Sequence, residues 1–327
     1  MIPKNILITG GAGYIGSHIA EILIKKKFRV TILDNLSTGY KRLINNKSNF
    51  IKEDLKNTNK IKKIILSNEI HSVIHLAASL DVNESQKKPK KYYKNNVENT
   101  LSLLKACKNT LVRSFIFSST AAVYKDGVYQ VHETSFLKPK SIYGKSKLKA
   151  ENLIINTLKK QKINSVILRY FNVCGASLSN KIGQINSYDL LFKNLASATL
   201  NIKPKINIYG NNYKTKDGTC IRDFIHVSDL ALVHEKLLNK INKIKKSIIL
   251  NVGYGIGTTV LEVAKSFEKY SKKTIKINFL PRRKADLKQI IADNKKIKQY
   301  LNWSPRYNKL STMVKSSINW EKKLSGL

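Results

Sequence analysis

The sequence predicts an α/β fold with a doubly wound parallel sheet and a smaller α/β domain. First, apolar segments of strand length alternate with helical segments at intervals of roughly 25 to 40 residues, from residue 6 to about residue 175. Second, the first apolar segment runs directly into a glycine-rich turn and then into a helical pattern. We therefore expect a first domain over 1–175, joined by about 225–252, and a smaller domain mainly over 176–327.

Length and composition exclude several classes of protein. The chain has 327 residues, of which 42% are hydrophobic, so it is long enough to bury a sizeable core. No apolar run approaches the ~18 residues that a membrane span needs, and because the first strand begins almost at once we expect no signal peptide. Cys107, Cys174 and Cys220 are too widely spaced for a disulfide framework or a zinc site. We expect a cytoplasmic protein with no membrane partner and no metal.

The charge of the chain is unusual. It carries 60 Lys and Arg against 21 Asp and Glu, a net charge of +39. Such an excess can mark a nucleic-acid or anionic-membrane surface, or it can be a general drift of surface positions towards lysine. The basic residues spread from Lys4 to Lys323 without a single block. Because recognition normally concentrates charge on one face, the spread favours the second interpretation, with no nucleic-acid partner.

The glycine-rich turn predicts a binding site for a dinucleotide. Residues 6–18 read ILITGGAGYIGSH, with Gly10, Gly13 and Gly16 at a G-x-x-G-x-x-G spacing. Glycines permit a tight turn and a close approach of the backbone to phosphate. The helix that follows, predicted over about 17–27, presents its unpaired N–H groups and partial positive charge to a pyrophosphate. Glycine-rich turns also occur for structural reasons, so the elements that follow decide the interpretation.

The second strand, predicted over 29–34, supports a Rossmann-type nucleotide site. It ends at Asp34, about 20 residues past the turn, where such units place the carboxylate that binds the adenosine ribose. An acid there favours NAD, because it would repel the 2′-phosphate of NADP. A carboxylate at the end of a strand can also be a simple turn former. Its distance from the glycine turn favours the functional role.

The remaining elements of the first domain continue the alternation. We predict strands over 50–55, 72–78, 114–118 and 165–169, the last continuing to about 173, and helices over 59–67, 91–108 and 144–160. In a parallel sheet, ligands bind beyond the carboxyl ends of the strands. Asp34, Asp54, Ala77 and the run 118–120 all lie at such ends.

A second group of residues predicts redox chemistry on an alcohol. Tyr143 and Lys147 are four residues apart and therefore share one face of the predicted helix. An ammonium near a phenol stabilises the phenolate and lowers its pKa from ~10 towards neutrality. Thr120, at a strand end, can supply a third hydroxyl. In so lysine-rich a chain the Tyr–Lys pair alone could be incidental. Thr120, Tyr143 and Lys147 together, in a chain that begins with a Rossmann-type glycine turn, are a more specific indication of redox chemistry.

The second half of the chain alternates less regularly. We predict a loop-rich insertion over 176–224 with a helix near 190–200, and a polar stretch over 209–227 suited to a polar ligand. Further on we predict a helix over 227–238, a strand over 247–252 that returns to the main sheet, a helix ending near 270 and a strand over 274–280. Terminal helices are predicted over 294–301 and 310–323.

The chain resembles the extended short-chain dehydrogenase/reductase family over nearly its whole length. The motifs that carry the resemblance are GGAGYIGSH (10–18), DNLSTG (34–39), HLAAS (75–79), YYKNNV (92–97), SSTAAVY (118–124), YGKSK (143–147), RYFNVCGA (169–176), YGNNYKTKDGTCIRDFIHVSDLA (209–231), NVGYGIGTTVLEV (251–263), RRKAD (282–286) and WSPRY (303–307). The stretch DGTCIRDFIHV is more specific than the glycine turn. Within the family, the resemblance implies an NAD-dependent isomerase that inverts C4 of a UDP-hexose (UDP-glucose or UDP-galactose) through a transient 4-keto sugar.

The same resemblance implies the site residues. Tyr143 would be the acid/base, Lys147 would hold the nicotinamide ribose and tune Tyr143, and Thr120 would help to move the proton. NAD would contact Gly10, Gly13, Tyr14, Ile15, Gly16, Asp34, Asn35, Asp54, Leu55, Ala77, Asn95, Lys147 and Phe171. Besides Thr120 and Tyr143, the UDP-sugar would contact Asn172, Tyr209, Arg222, Arg283 and Asp286. A homodimer is implied as well.

Some residues depart from the pattern of the family and leave alternatives open. Ala285 replaces a usual glycine, and Ile290 stands where the family controls room for an N-acetyl group. A UDP-N-acetylglucosamine 4-epimerase, or another family enzyme acting on nucleotide sugars, is therefore an alternative. A dehydratase is disfavoured because Ala121 and Ala122 replace the acidic pair that it needs after the Thr. An NAD-sensing or nucleic-acid-binding protein is the non-enzymatic alternative, against which the intact Thr120, Tyr143 and Lys147 argue.

Overall fold

The computed structural model describes residues 5–127, 129–186, 190–202, 205–241, 246–283 and 286–326. They form two compact units. The first comprises the described residues of Met1–Val123, Pro139–Tyr170 and Ala231–Leu250, and the second those of Tyr124–Lys138, Phe171–Leu230 and Asn251–Leu327. Ala285 lies outside the described residues.

The strands and helices are numbered in chain order. The strands are β1 (Asn5–Thr9), β2 (Arg29–Asp34), β3 (Asn49–Lys52), β4 (Ser72–His75), β5 (Ser114–Thr120), β6 (Asn164–Tyr170), β7 (Asn172–Cys174), β8 (Lys205–Tyr209), β9 (Ile221–His226), β10 (Ile248–Val252), β11 (Gly257–Thr259), β12 (Lys276–Leu280) and β13 (Gln289–Ile290). The helices are α1 (Tyr14–Lys25), α2 (Thr58–Ser67), α3 (Val82–Lys87), α4 (Pro89–Tyr93), α5 (Asn99–Cys107), α6 (Ile142–Lys160), α7 (Leu191–Thr199), α8 (Val227–Lys240), α9 (Val260–Ser271), α10 (Lys295–Leu301) and α11 (Leu310–Ser325).

The first unit is built on a sheet of seven strands in the order β10-β6-β5-β4-β1-β2-β3. The pairs from β3 across to β6 are all parallel. Numbered along the chain, the first six strands therefore have the order 3-2-1-4-5-6 of a dinucleotide-binding sheet. The predicted α/β fold is confirmed. So is the return of the strand near 247–252 to this sheet, where it lies beside β6.

Apolar strands hold this sheet at the centre of the first unit. All five residues of β1 are buried, which fits a parallel strand covered on both faces. On one face, Leu7, Val73 and Phe115 pack against apolar side chains of α2, α5 and α6, among them Ile61 and Ile154. Buried residues on both the strands and the helices hold the carboxyl ends of β1, β2, β4 and β5 at one edge of the sheet.

The predicted continuous helix over 91–108 is wrong. The segment begins at Pro89, and a π-helical turn over Lys94–Glu98 separates α4 from α5. Within that turn the buried Asn96 amide donates to the Ser79 carbonyl and the Ser146 hydroxyl, and its oxygen accepts from the Ser79 N–H. These bonds to distant residues favour the wider turn, which a pattern of local periodicity cannot reveal.

The second unit contains more strands than the sequence predicts. β9 lies at the centre of a small sheet, with β11, β13 and β7 paired to it, and β8 pairs with β12. The prediction of a loop-rich insertion over 176–224 is wrong at two places, because β8 and the start of β9 lie within it. β9 carries Arg222 and Asp223 in its interior, so it lacks the alternation of an ordinary half-buried strand. The predicted strand over 165–173 is also divided, because β6 ends at Tyr170 and β7 joins a different sheet.

Membrane-spanning helices and metal-binding clusters are both absent from the described part of the chain. None of its helices combines the length and the apolar character that a bilayer crossing requires. Its His, Cys, Asp and Glu side chains form no group of three or more that could hold a metal ion.

Candidate active site

The glycine turn between β1 and α1 brings backbone close to backbone. Gly10 has a φ of +73°, and a Cβ there would lie 2.7 Å from the amide nitrogen of Ala77, at the end of β4. A Cβ at Gly16 would collide with the carbonyl oxygen of Gly10. Gly13 is the N-cap residue of α1 and has no side chain to cover the helix end. The cradle therefore fits a pyrophosphate on the first-turn N–H groups of Tyr14, Ile15 and Gly16.

Asp34 lies beside this turn at the end of β2. Its Oδ2 accepts from the Ala12 N–H at 3.0 Å, and its Oδ1 accepts from the Leu36 N–H at 2.8 Å. Burial raises the pKa of this carboxyl, and the two N–H bonds oppose the shift. A carboxylate fixed next to the glycine turn is suited to accept hydrogen bonds from the hydroxyls of a ribose.

The other residues predicted to contact the cofactor in the first unit lie at neighbouring strand ends. Asn35 follows β2 and donates to the Asp54 carboxylate after β3 at 2.9 Å, and Leu55 next to it is buried. Ala77 follows β4, and Asn95 donates to the Ser79 hydroxyl at 3.0 Å. Because β3, β2, β1 and β4 are consecutive in the sheet, these residues share one edge. Phe171, also predicted to contact the cofactor, is buried in the second unit, and its N–H donates to Val252.

Close packing at the start of α6 places Tyr143 against Thr120. Ser141 caps the helix by accepting from the Gly144 N–H at 3.0 Å. A Cβ at Gly144 would lie 2.5 Å from the Ala122 carbonyl oxygen, so glycine lets α6 approach the turn that follows β5. The Tyr143 hydroxyl hydrogen-bonds the Thr120 side chain. Burial raises the pKa of Tyr143, and the bond from Thr120 lowers it.

Lys147 lies one helical turn after Tyr143 and is 2% exposed. Its Nζ is 4.2 Å from the centroid of the Phe117 ring, a cation–π contact. Burial lowers the pKa of Lys147 to about 7, and the Glu151 carboxylate opposes that shift. The phenol and the hydroxyl are therefore in contact, and the Lys147 amine lies one helical turn away, an arrangement suited to proton transfer to and from an alcohol.

The residues predicted for the sugar nucleotide lie together in the second unit. Tyr209 ends β8, and the Arg283 guanidinium stacks 3.5 Å from the centroid of its ring. The Asp286 N–H donates to the Arg283 carbonyl at 3.1 Å, and the Asp286 carboxylate lies 3.6 Å from the guanidinium of Arg222 on β9. Asn172 is exposed on the adjacent β7. The group offers two planar cations, a ring and an acid, a set suited to a nucleoside diphosphate.

Sequence reasoning missed a buried group directly behind the Tyr–Lys pair. Glu151 and Arg169 form an ion pair whose side chains are 2% and 1% exposed. The available signal was an acid four residues after Lys147, which places it on the same face of the helix. In a chain with 60 basic residues, that spacing alone does not distinguish a buried pair from a solvated one.

Comparisons with known proteins agree with this geometry. Residues 6–253 match the model of the NAD dependent epimerase/dehydratase family. The UDP-glucose 4-epimerase of Azospirillum brasilense is 37% identical, with 98% of this chain and 92% of that protein covered. A UDP-glucose 4-epimerase structure from Stenotrophomonas maltophila with bound NAD and formylated UDP-arabinopyranose has a TM-score of 0.94 at 31% identity, covering 99% of both chains. The UDP-Glc/GlcNAc 4-epimerase of Campylobacter jejuni has a TM-score of 0.85 at 39% identity, covering 98% of this chain and 99% of that one. The chain therefore belongs to the NAD-dependent epimerase/dehydratase family, as its resemblance to the extended short-chain dehydrogenases predicted.

Proposed function

We propose that this protein is a UDP-glucose 4-epimerase, an isomerase that interconverts UDP-glucose and UDP-galactose with NAD as its cofactor. The observation that carries the proposal is the Thr120–Tyr143–Lys147 group at the edge of a sheet whose first turn fits a pyrophosphate. The names of the relatives at 31–39% identity support the same reaction.

The first unit would hold the cofactor. Gly10, Gly13 and Gly16 leave room for the pyrophosphate, and Asp34 would accept hydrogen bonds from the adenosine ribose. When bound, NAD takes two electrons from the sugar and returns them in the same turnover. The chain must therefore retain its cofactor rather than exchange it, and the residues proposed to contact NAD include several at the ends of the neighbouring strands β1 to β4.

Tyr143 would move the proton of the sugar 4-hydroxyl. As the phenolate it accepts that proton when C4 is oxidised, and it returns the proton when C4 is reduced on the other face. Thr120 donates a hydrogen bond that favours the phenolate and opposes the effect of burial on the Tyr143 pKa. An ammonium on Lys147, one helical turn away, would favour the phenolate further. C4 is inverted because the flat 4-keto sugar turns between the two transfers.

The second unit would hold the UDP group. Arg222 and Arg283 are suited to the diphosphate, Tyr209 and Asp286 contact these arginines, and Asn172 lies on a neighbouring strand. Binding energy concentrated on UDP leaves the sugar free to turn, which an epimerase needs. In this division the cofactor belongs to the first unit and the nucleotide sugar mainly to the second.

The proposed function is tested by following UDP-galactose and UDP-glucose by NMR or chromatography. Wild-type protein should interconvert them, and Tyr143→Phe should abolish turnover because it removes the group that carries the proton. Tyr270→Phe, an exposed tyrosine, is the matched control and should retain activity. A wild-type protein that turns over neither sugar but binds nucleic acid at physiological salt would replace this proposal with the non-enzymatic alternative.

A second candidate is an epimerase that also accepts N-acetylated sugars. Ile290 is 5% exposed on β13 and is in register with Arg222 on β9, so its side chain lies on the strand next to a residue proposed to bind the diphosphate. Isoleucine is intermediate in size, and the Campylobacter jejuni relative is described as acting on both UDP-Glc and UDP-GlcNAc. Parallel assays with UDP-glucose, UDP-N-acetylglucosamine and UDP-glucuronate distinguish the candidates, and turnover of the N-acetylated sugar alone would displace the first.

Two further expectations accompany this proposal. We propose a homodimer, as the family resemblance implies, and light scattering during gel filtration would measure the mass. We also propose a cytoplasmic location, which is consistent with the three buried free thiols Cys107, Cys174 and Cys220. A monomeric mass at enzyme concentrations used in the assay would refute the first expectation, and recovery of the protein outside the cytoplasm would refute the second.

A further inference from the structure

Behind the Tyr–Lys pair lies a buried cluster formed by Ser119, Glu151 and Arg169. Arg169 donates from Nε to Glu151 Oε1 at 3.0 Å and from Nη2 to Oε2 at 2.7 Å, a two-pronged contact. The Ser119 hydroxyl donates to the same Oε1. All three side chains are at most 2% exposed, so the charges are removed from water.

The cluster joins β5 and α6, which carry the proposed catalytic residues, to the neighbouring strand β6. Ser119 precedes Thr120 on β5, Arg169 is its register partner on β6, and Glu151 lies on α6. The helix is therefore fixed to β5 at two levels, by Tyr143 to Thr120 and by Glu151 to Ser119. Lys147 lies midway between these levels, one turn from Tyr143 and one turn from Glu151.

Stability alone does not explain charges at this position. A buried ion pair often contributes no more to stability than an apolar pair of the same volume, because desolvation offsets the attraction. Here Arg169 and Ser119 together supply three donors to one carboxylate, which fixes the position of Glu151 on α6. This carboxylate lies one turn after Lys147 on the same face of α6.

We propose that Glu151, held in place by Arg169 and Ser119, is a positioning residue that keeps the Lys147 ammonium charged and fixed one helical turn from Tyr143. This inference rests on the proposed function. Without the carboxylate, the buried Lys147 would lose its proton to solvent at a lower pH, and the Tyr143 phenolate would lose the charge that stabilises it.

The other groups around Lys147 do not supply this negative charge. Lys147 faces His75 on β4. Burial and the charge of Lys147 lower the pKa of His75 to about 3, so the His75 ring is neutral. On β5, Lys147 faces the ring of Phe117. On β6, Tyr170 next to Arg169 interacts with Tyr143, and burial raises the pKa of Tyr170. Among these neighbours the Glu151 carboxylate is the anion that opposes the loss of the Lys147 proton.

The test is a titration of the Tyr143 phenol, measured as ultraviolet difference absorbance against Tyr143→Phe in the same background. In Glu151→Gln the titration midpoint of the Tyr143 phenol should rise by about one pH unit. The alkaline limb of the epimerase pH profile should move to lower pH, because Lys147 loses its proton earlier. The double variant Glu151→Gln/Arg169→Gln removes both charges and leaves two amides, so it guards against misfolding from an unpaired arginine. This double variant should raise the Tyr143 midpoint and move the alkaline limb to lower pH, as Glu151→Gln does.

Glu321→Gln is the matched control. Glu321 forms a buried ion pair with Lys193 in the second unit, at 2.5 Å and with side chains 4% and 8% exposed. Glu321→Gln should lower the melting temperature of the protein without changing the titration midpoint of the Tyr143 phenol. An unchanged midpoint in the folded double variant, or the same shift in Glu321→Gln, would overturn the inference. The titration needs no turnover, so a protein that epimerises no sugar but shows the shift refutes the proposed function alone.

Discussion

Replacing Gly10 by alanine should destabilise the first unit and impair cofactor retention. The substitution forces an L-residue to a φ of +73°, which costs about 1–2 kcal/mol. The new methyl would also lie 2.7 Å from the Ala77 nitrogen and 2.9 Å from its Cα, and overpacking against backbone adds about 1–3 kcal/mol. We therefore expect a loss of about 2–5 kcal/mol in the free energy of unfolding.

The matched control separates the strain from the contact. Gly127 has a φ of +90°, and a Cβ there would meet nothing within 4 Å. Gly127→Ala should therefore cost only the backbone strain, about 1–2 kcal/mol. The difference between the two variants measures the close approach of the glycine turn to the end of β4.

The assay is thermal unfolding with and without added NAD, together with the NAD content of the purified protein. For a unit of this size, 1 kcal/mol corresponds to roughly 2–4 °C, so Gly10→Ala should melt about 4–20 °C below wild type. It should also carry less NAD, because the methyl and its displaced backbone narrow the phosphate cradle. If Gly10→Ala melts no lower than Gly127→Ala and retains its NAD, the argument from close approach is refuted.

Three other predictions follow from single contacts. Arg283→Lys keeps the charge but loses the planar stack on Tyr209, so initial rates should show KM for the UDP-sugar raised about tenfold with kcat less affected, and an unchanged KM would contradict the role. Thr120→Val should lower kcat about 10–100-fold while Thr120→Ser retains most of it, and equal activity of the two would exclude the hydroxyl. The folded-state pKa of His75, about 3, is below its unfolded value, so the stability gained from the neutral ring is present above pH 6.5 and lost as the pH falls. Between pH 6.5 and 4.5, urea unfolding should show that wild type loses about 2–3 kcal/mol more than His75→Asn, and equal losses would refute the assignment.

Local signals in the sequence predicted the first unit well. The glycine turn, the apolar strands and the acid at the end of β2 act over short stretches, and the doubly wound parallel sheet follows from their order along the chain. Tyr143 and Lys147 could be placed on one helical face by spacing alone. The roles implied for individual NAD and UDP-sugar contacts remain predictions.

The missed features depend on contacts between distant residues. The π-helical turn after α4 follows from the Asn96 amide, which bonds Ser79 and Ser146. Strand β9 was missed because its interior contains Asp223, and a carboxylate in a sequence usually indicates a loop. In the structure this carboxylate is buried. That carboxylate accepts from the N–H groups of Tyr254, Gly255 and Ala292, and only the assembled unit brings these donors to it.

The net charge of +39 changes which residues carry information in this sequence. With 60 basic residues, one more lysine says little about function, whereas an acid is scarce and an acid in the interior is scarcer. Asp34, Glu151, Asp223 and Asp229 are each at most 8% exposed. Each accepts at least two hydrogen bonds from distinct groups. Asp34 lies beside the glycine turn, Glu151 lies one turn after Lys147, and Asp223 lies within β9. Asp229 accepts from Tyr254 and from the backbone of Arg306 and Tyr307. Because burying an unpaired carboxylate is costly, such acids persist only where several donors converge, so in a lysine-rich chain the buried acids mark the organised sites.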